Sequence, residues 1–557
     1  MSTTEGLQYL LLVSCAASLL PLSTLFLLIN YAYISSAPRN SARRHLISTP
    51  GFISRTILIT GINSPQGLRL ARAFHETGHN VVGADYEPGG LPMPARFSRS
   101  LRRFYRMDLQ PEEKRVVSYI AALVQIITTE RVDIWINCTR SADPFIEAQA
   151  REIIEQDTNC RSFGLSMADA PYFATRDAFL MHTKSLGLPV LETYLVRSRD
   201  EVHRVLHNSQ RRRRYLLQSL NPDGIPAESS RTMLPRKTPS QTYNTVARIP
   251  IQKAKPWRLE QITEGLKRYS SFAIIVERNV MAFVASYPTG TGGAQVLDSK
   301  SALNQSMLMF MQTFASKQRP GFSAHLGVDF CVEEHANVSG VLENIFPVSV
   351  SVHAQAGLLF FQGAAGSAQL TRAYLASLPS RAKDDGDQQL GSITVVKQDS
   401  SNAEVAMPSA NTSGIYCFGQ ELLQLCLTPL LGVLTREKSL IEWFGTLQLF
   451  LRHLLFCRDN EYSFEDPVPF WWAYQVYIPL QLLMTLYMSI RGSSHAWPHD
   501  PVEVCPPQQL DDGRSHSGIQ PTNLILGLTN GVEKRSSYPR YADPQTQLAR
   551  DYLSGEI

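Results

Sequence analysis

The chain has 557 residues and a mass of 62.3 kDa, too long for one ordinary core and suited to roughly two to four domains. Apolar residues at 44% and charged residues at 18% exclude a chain disordered throughout and hint at membrane contact or unusually buried segments. A net charge of +4 is too weak at this length to argue for nucleic acid, and the eight scattered cysteines form no CxxC, so neither a zinc module nor a disulfide framework is supported and a reducing compartment fits.

From Tyr9 to Ile34 the chain carries no charge, and the run meets the length of about 20 apolar residues that a membrane helix needs, even with Pro21 inside it. A cleaved signal peptide is the rival reading, but it needs a basic N-terminal region, whereas here Glu5 precedes the run and Arg39, Arg43 and Arg44 follow it. The expectation is therefore an anchor over 8–34, with the N-terminus outside and the remainder cytosolic. Residues 35–54 read as a polar, basic linker.

Thr56–Thr60 is a β-rich run ending on Gly61, followed by an amphipathic helix with Leu68, Ala71 and Phe74 on one face. Val81–Asp85 and Val132–Asn137 read as further buried strands, the latter after a helix over Val116–Ile127. This alternation predicts a doubly wound parallel sheet over 55–165, with Gly61, Asp85 and Asn137 at the strand ends that face its crevice. Asp85 stands where a dinucleotide's ribose would be bound, yet Gly61 and Gly67 lack the GxGxxG spacing and Pro65 removes an amide at the helix start. A tight strand–helix turn needing small residues is the plainer account.

Over 166–370 the pattern changes to α+β, so the fold class is α/β followed by α+β. A helix over Thr175–Leu186 ends at Gly187, and strands are expected at 190–194 and 215–218, the second after the four arginines 211–214. Phe272–Val276 and Val280–Ala285 predict a hairpin turned by Glu277-Arg278-Asn279. Gly290, Gly292 and Gly293 lie in a flexible loop, by itself weak evidence for phosphate binding. Asp329 and Glu343 sit in apolar surroundings on two further strands. If Asn337-Val338-Ser339 turns the chain, they can face one another and share a cation; the alternative is that one points to solvent. Residues 371–412 read as a flexible insert and 413–491 as a helical, aromatic-rich region. Within it Pro469–Ile490 carries no charge and passes as a second span by length, with a buried or interfacial position preferred. The tail over 492–557 reads as disordered.

The order of these blocks, with Thr60-Gly61, Asp85, Phe179, Gly187–Thr193, Tyr215–Leu217, Pro256–Leu259, Asp329 and Glu343, resembles the ATP-grasp ligases. Asp466-Pro467-Val468-Pro469-Phe470-Trp471-Trp472 is similar to the Asp-Pro-Leu-Pro-Trp-Trp-Trp signature of a fungal, carbamoyl-phosphate-synthetase-like branch of natural-product pathways. The resemblance spans 55–490. It implies a Rossmann-like pre-ATP-grasp lobe, a two-lobed clamp around ATP and Mg²⁺, and ligation of small carboxylate and amine substrates through an acyl phosphate. On that pattern Asp329 and Glu343 match the metal-binding acids, Arg176 a phosphate-binding cation, and Gln218 the place of a second lysine. Gln261 takes the adenine-side position, and Gly290 to Gly293 cover the nucleotide. Lys267 and Arg268 stand near a usual acid, while Ile345 and Pro347 replace the family's asparagine and arginine. Two alternatives accompany the ligase: a non-catalytic membrane scaffold that keeps the fold, and an NAD(P)-dependent reductase or epimerase built on the Thr60-Gly61 turn.

Overall fold

The structure, a computed structural model, describes residues 3–35, 39–87, 90–107, 112–139, 143–209, 213–219, 231–252, 257–262, 266–289, 293–337, 340–379, 405–409 and 412–490. The expected tail over 492–557 and most of the insert lie outside them.

The first long helix, Thr3–Ser35, contains an apolar run from Gly6 to Ala32 that is long enough to cross a bilayer by length and composition. Within the expected linker Arg39–Ser48 is a helix, and Arg43 Nε donates to the carbonyl of His75 at 2.8 Å. Beyond it, β1 (Thr56–Thr60), β2 (Asn80–Tyr86), β3 (Arg103–Met107), β4 (Ile134–Asn137) and β5 (Arg161–Phe163) form one parallel sheet in the order β3-β2-β1-β4-β5. The helix Pro65–Glu76 starts where Ser64 Oγ accepts from the Gly67 amide at 3.0 Å and Pro65 takes a first-turn place that needs no donor.

A small antiparallel sheet follows, built from β6 (Thr193–Val196), β7 (Tyr215–Ser219), β8 (Thr232–Leu234) and β9 (Trp257–Gln261) in the order β6-β9-β7-β8. The third sheet is larger: β10 (Lys267–Val276), β11 (Asn279–Pro288), β12 (Ala294–Val296), β13 (Ala324–Asn337), β14 (Gly340–Ser351), β15 (Ile415–Tyr416) and β16 (Arg458–Asp459), ordered β14-β13-β10-β11-β12-β15-β16. Glu277 and Arg278 join β10 to β11 with positive φ values of 46° and 69°, the backbone twist that a two-residue hairpin loop requires.

Packing divides these sheets unevenly. Ile57, Ile59 and Phe74 of the parallel-sheet lobe share one continuous core with Phe272, Ile274, Leu358, Phe360 and Tyr374 around the large sheet. The small sheet closes its own core with Val196, Tyr215, Leu217 and Leu259. Residue 371, the expected start of the insert, lies inside the helix Gly363–Leu375, and Ala406 bonds back to Met281 and Phe283 of β11.

The C-terminal region is helical: Phe418–Leu434 with a π-helical turn at Leu422–Leu427, then Leu440–Phe456, then Val468–Ile490 with another such turn at Ala473–Tyr477. The aromatic signature docks on the parallel-sheet lobe. Asp466 accepts from Arg72 Nε at 3.0 Å, Ser98 Oγ at 2.6 Å and the Arg99 amide at 3.0 Å, and Trp472 Nε1 donates to the Pro92 carbonyl at 3.0 Å.

Candidate functional site between the small and large sheets

The side chains named from sequence fall into three places. The first is the edge of the small sheet where it meets the large one. Thr175 Oγ1 accepts from the Ala178 amide and starts the helix Arg176–Ser185, so Arg176 sits at its first position. Arg176 reaches both walls: Nε donates to the Val348 carbonyl of β14 at 2.7 Å, and Nη2 to Glu260 Oε1 of β9 at 2.5 Å. Arg258, also on β9, pairs with Asp177 through both guanidinium nitrogens. Arg213 pairs with Glu192, which also accepts from Tyr215 Oη at 2.5 Å, and Arg213 Nη2 lies 4.0 Å from Glu333 Oε2 of β13.

Three arginines thus line this junction, and acids of the same chain face each of them. Among the described residues Arg213 Nε is nevertheless a buried donor with no hydrogen-bond partner. Leaving such a group unsatisfied costs about 1–3 kcal/mol, and a phosphate oxygen is the kind of acceptor that would relieve it. Gln218 and Gln261 are both buried. Gln218 stands opposite Arg258 across β7 and β9. Gln261 stands opposite Tyr215 and accepts from the Glu192 amide through Oε1 at 3.4 Å. Gly290 and Gly292 lie outside the described residues. Gly293 is packed rather than open: a Cβ there would come 2.7 Å from the Ile415 carbonyl oxygen.

The second place corrects the pairing of the two acids. Asn337 pairs with Gly340, so the chain does turn between them, but that turn sets Glu343 opposite Glu334 and Asp329 opposite Ser349. Five residues of strand separate the two positions, ~17 Å at a rise of ~3.4 Å per residue. Asp329 instead accepts from Ser270 Oγ of β10 at 2.6 Å and from Ser349 Oγ of β14. A carboxylate holding two hydroxyl donors, this far from its expected partner, does not fit a magnesium ion shared with Glu343. Among the described residues no three His, Cys, Asp or Glu side chains converge on a metal position. Ile345, in the asparagine's place, packs against the core.

The third place is the crevice at the ends of β1 and β4. Asp85 accepts from the amides of Asn63 and Tyr86, both at 2.9 Å, so it braces the turn after β1. Burial pushes its pKa up to about 6, against the pull of those two bonds. Phe470, Ala473 and Tyr477 cover the helix start beside Asn63 and Pro65, leaving a cavity of about 30 Å³. That holds roughly one water, not a dinucleotide. Next to it Thr60 Oγ1 donates to Asn137 Oδ1 at 2.9 Å, Asn137 Nδ2 bonds to Glu147, and His353 Nε2 lies 3.9 Å from Glu147 Oε1. Burial, then the nearby Asp143, raises the Glu147 pKa well above the usual carboxylate range. Nothing in the sequence marked Glu147 or His353, which are 206 positions apart in the chain and meet only because the two larger lobes share a core.

No family model and no curated protein matches the sequence. Solved structures superpose on part of it. The biotin carboxylase subunit of a pyruvate carboxylase matches at 12% identity and TM-score 0.42, over 59% of this chain and 72% of that one. N5-carboxyaminoimidazole synthetase from Staphylococcus aureus matches at 12% identity and 0.37, over 59% and 79%. Carboxyaminoimidazole ribonucleotide synthase from Aspergillus clavatus, complexed with ATP, matches at 14% identity and 0.36, over 58% and 78%. These are likenesses of layout at low identity, and no chemistry is carried over from them.

Proposed function

We propose that the chain is a membrane-tethered protein of the ATP-grasp type, whose small and large sheets close on a nucleotide as in an ATP-dependent carboxylate–amine ligase. One observation carries the reading: Arg176, Arg213 and Arg258 gather at the junction of the two sheets, and among the described residues Arg213 keeps a buried donor without an acceptor. ATP bound there supplies a phosphoryl group able to activate a carboxylate for attack by an amine. The chain's own part is to hold the polyphosphate on guanidinium groups and to exclude water by closure of the small sheet. Small carboxylates and amines of secondary metabolism are the substrate class that the sequence resemblance suggests.

A specific observation also favours the second reading, a clamp that binds without ligating. Each junction arginine already faces an internal acid, and Asp329 and Glu343 are not brought together. The reductase reading loses its support, since Asp85 is engaged with backbone amides and aromatic side chains occupy the crevice.

Titration calorimetry of the detergent-solubilised full chain with ATP, with and without magnesium, tests binding. ADP release in the presence of pooled carboxylates and amines tests turnover. Binding together with ADP release supports the ligase, and binding alone supports the scaffold. No heat on ATP addition would sink both.

A further inference from the structure

Most of the exposed large apolar side chains of the described residues lie on the helix Thr3–Ser35 and on the C-terminal helices. On Leu440–Phe456 they cover one broad face: Ile441 is 84% exposed and Leu455 75%, with Phe444, Leu451 and Phe456 also open and Gln448 and Arg452 among them, while Phe450, turned away from that face, is the one buried residue. A wide, contiguous apolar face left open by the rest of the chain marks contact with lipid or a partner, and the position of this one argues for lipid.

Its neighbours give its depth. The lower end of Thr3–Ser35 is fixed to the α/β body, where Asn30 Nδ2 donates to Tyr462 Oη at 3.2 Å and the Arg99 guanidinium lies 4.1 Å from the Tyr31 ring centroid. Ile478–Ile490 packs along the same helix, and the hairpin Phe418–Phe456 starts against the turn that leads into it, where the Gly419 amide donates to Tyr474 Oη at 3.1 Å and Phe418 meets the Tyr474 ring; Cys426 lies within electrostatic range of Cys15, halfway up the first helix. Trp443 Nε1 in turn donates to the Cys426 carbonyl at 3.1 Å, tying Leu440–Phe456 to its partner Phe418–Leu434.

From Cys426 to Leu434 the hairpin climbs eight residues, ~12 Å, and from Cys15 back to Gly6 the first helix climbs nine, ~14 Å. The charged tip, Arg436-Glu437-Lys438, therefore draws level with the end of the apolar run. Lower down, His453 Nδ1 lies 2.8 Å from Glu421 Oε1, so this pair is satisfied inside the hairpin instead of facing outward. Arg452, near the base, is long enough to snorkel to the closer interface.

We infer that Phe418–Phe456 is a helical hairpin embedded in the same bilayer as Thr3–Ser35, with Ile478–Ile490 beside it, so that the protein is held by a helical bundle rather than by one anchor. Geometry ties the two: a bilayer that surrounds the first helix at Cys15 also surrounds the hairpin. The inference rests on the membrane-tether reading and adds the hairpin to it.

Photolabelling of the full chain in phosphatidylcholine vesicles, with a diazirine near the acyl-chain terminus and mass mapping of the labelled peptides, separates the two claims. Label is expected on 6–32 and on 440–456 and is expected to be absent from the helix Ala302–Ser316, which is packed on the large sheet and exposes only Met309 among its large apolar side chains. Label on 6–32 but not on 440–456 overturns the inference and leaves the tether standing. Label on neither removes the tether as well.

Discussion

Arg72 and Asp466 are 394 positions apart in sequence and form a buried ion pair at 3.0 Å. Arg72 also donates to the carbonyls of Glu461 and Asp466, and Ser98 Oγ and the Arg99 amide donate to the Asp466 carboxylate as well. The Asp-Pro segment is therefore a latch that ties the C-terminal helices to the parallel-sheet lobe. Removing one partner of a buried, fully bonded pair costs about 3–5 kcal/mol, because the other charge stays buried alone. Asp466→Asn should lower the unfolding midpoint accordingly, and Arg72→Met combined with Asp466→Leu should recover part of the loss. A chemical-denaturation series in detergent reads both, and a single variant as stable as the parent would contradict the latch.

Glu260 neutralises Arg176 at the junction of the sheets. Glu260→Gln keeps the shape and frees the guanidinium, so ATP should bind more tightly by up to about tenfold, or ~1.4 kcal/mol. Arg176→Ala should weaken binding by a similar factor. Calorimetry on the two variants decides, and unchanged affinity in both would move the nucleotide elsewhere.

His325 is buried with Nε2 2.6 Å from Tyr374 Oη, and burial lowers its pKa to about 3; burial likewise lowers His75 and His79 to about 4. The folded state keeps these rings neutral, while the unfolded chain takes up protons near pH 6.5. Their contribution to stability is present above pH 6.5 and is lost as pH falls toward 4 and then 3. For the fully buried His325 this amounts to at most about 2 kcal/mol between pH 6.5 and 5. His325→Gln should flatten the pH dependence of the urea midpoint over that interval, and a slope equal to the parent's would refute the assignment.

Gly61 has φ +65°, and a Cβ there would stand 2.4 Å from the Thr139 amide nitrogen at the end of β4. Gly61→Ala should destabilise by at least ~1–3 kcal/mol through backbone strain alone, with the clash adding to it. Thermal melting of the variant measures this, and a shift within error would mean that the turn can relax.

Local features were legible. The alternation of strands and helices over 56–163 corresponds to the parallel sheet, because buried parallel strands are short apolar runs separated by amphipathic helices. The β10–β11 hairpin was legible from two β-branched runs around a polar turn. The partner of Asp329 was not. A turn at 338–339 fixes which residues stand opposite, and an error in projecting that register along a 14-residue strand changes which acids meet. The linker helix was missed because Arg39–Ser48 is polar and short, and its docking on His75 comes from distant chain.

Chain order alone therefore determined the classes of element, the apolar N-terminal run and the places where basic and acidic residues are concentrated. These follow from periodicity and composition over a few neighbouring residues. Only the tertiary structure decided that Asp466 belongs to Arg72, that Arg176 faces Glu260, and that Asp329 answers two serines and not Glu343. Such pairings depend on sheet register and on the packing of lobes against one another, which no local pattern encodes.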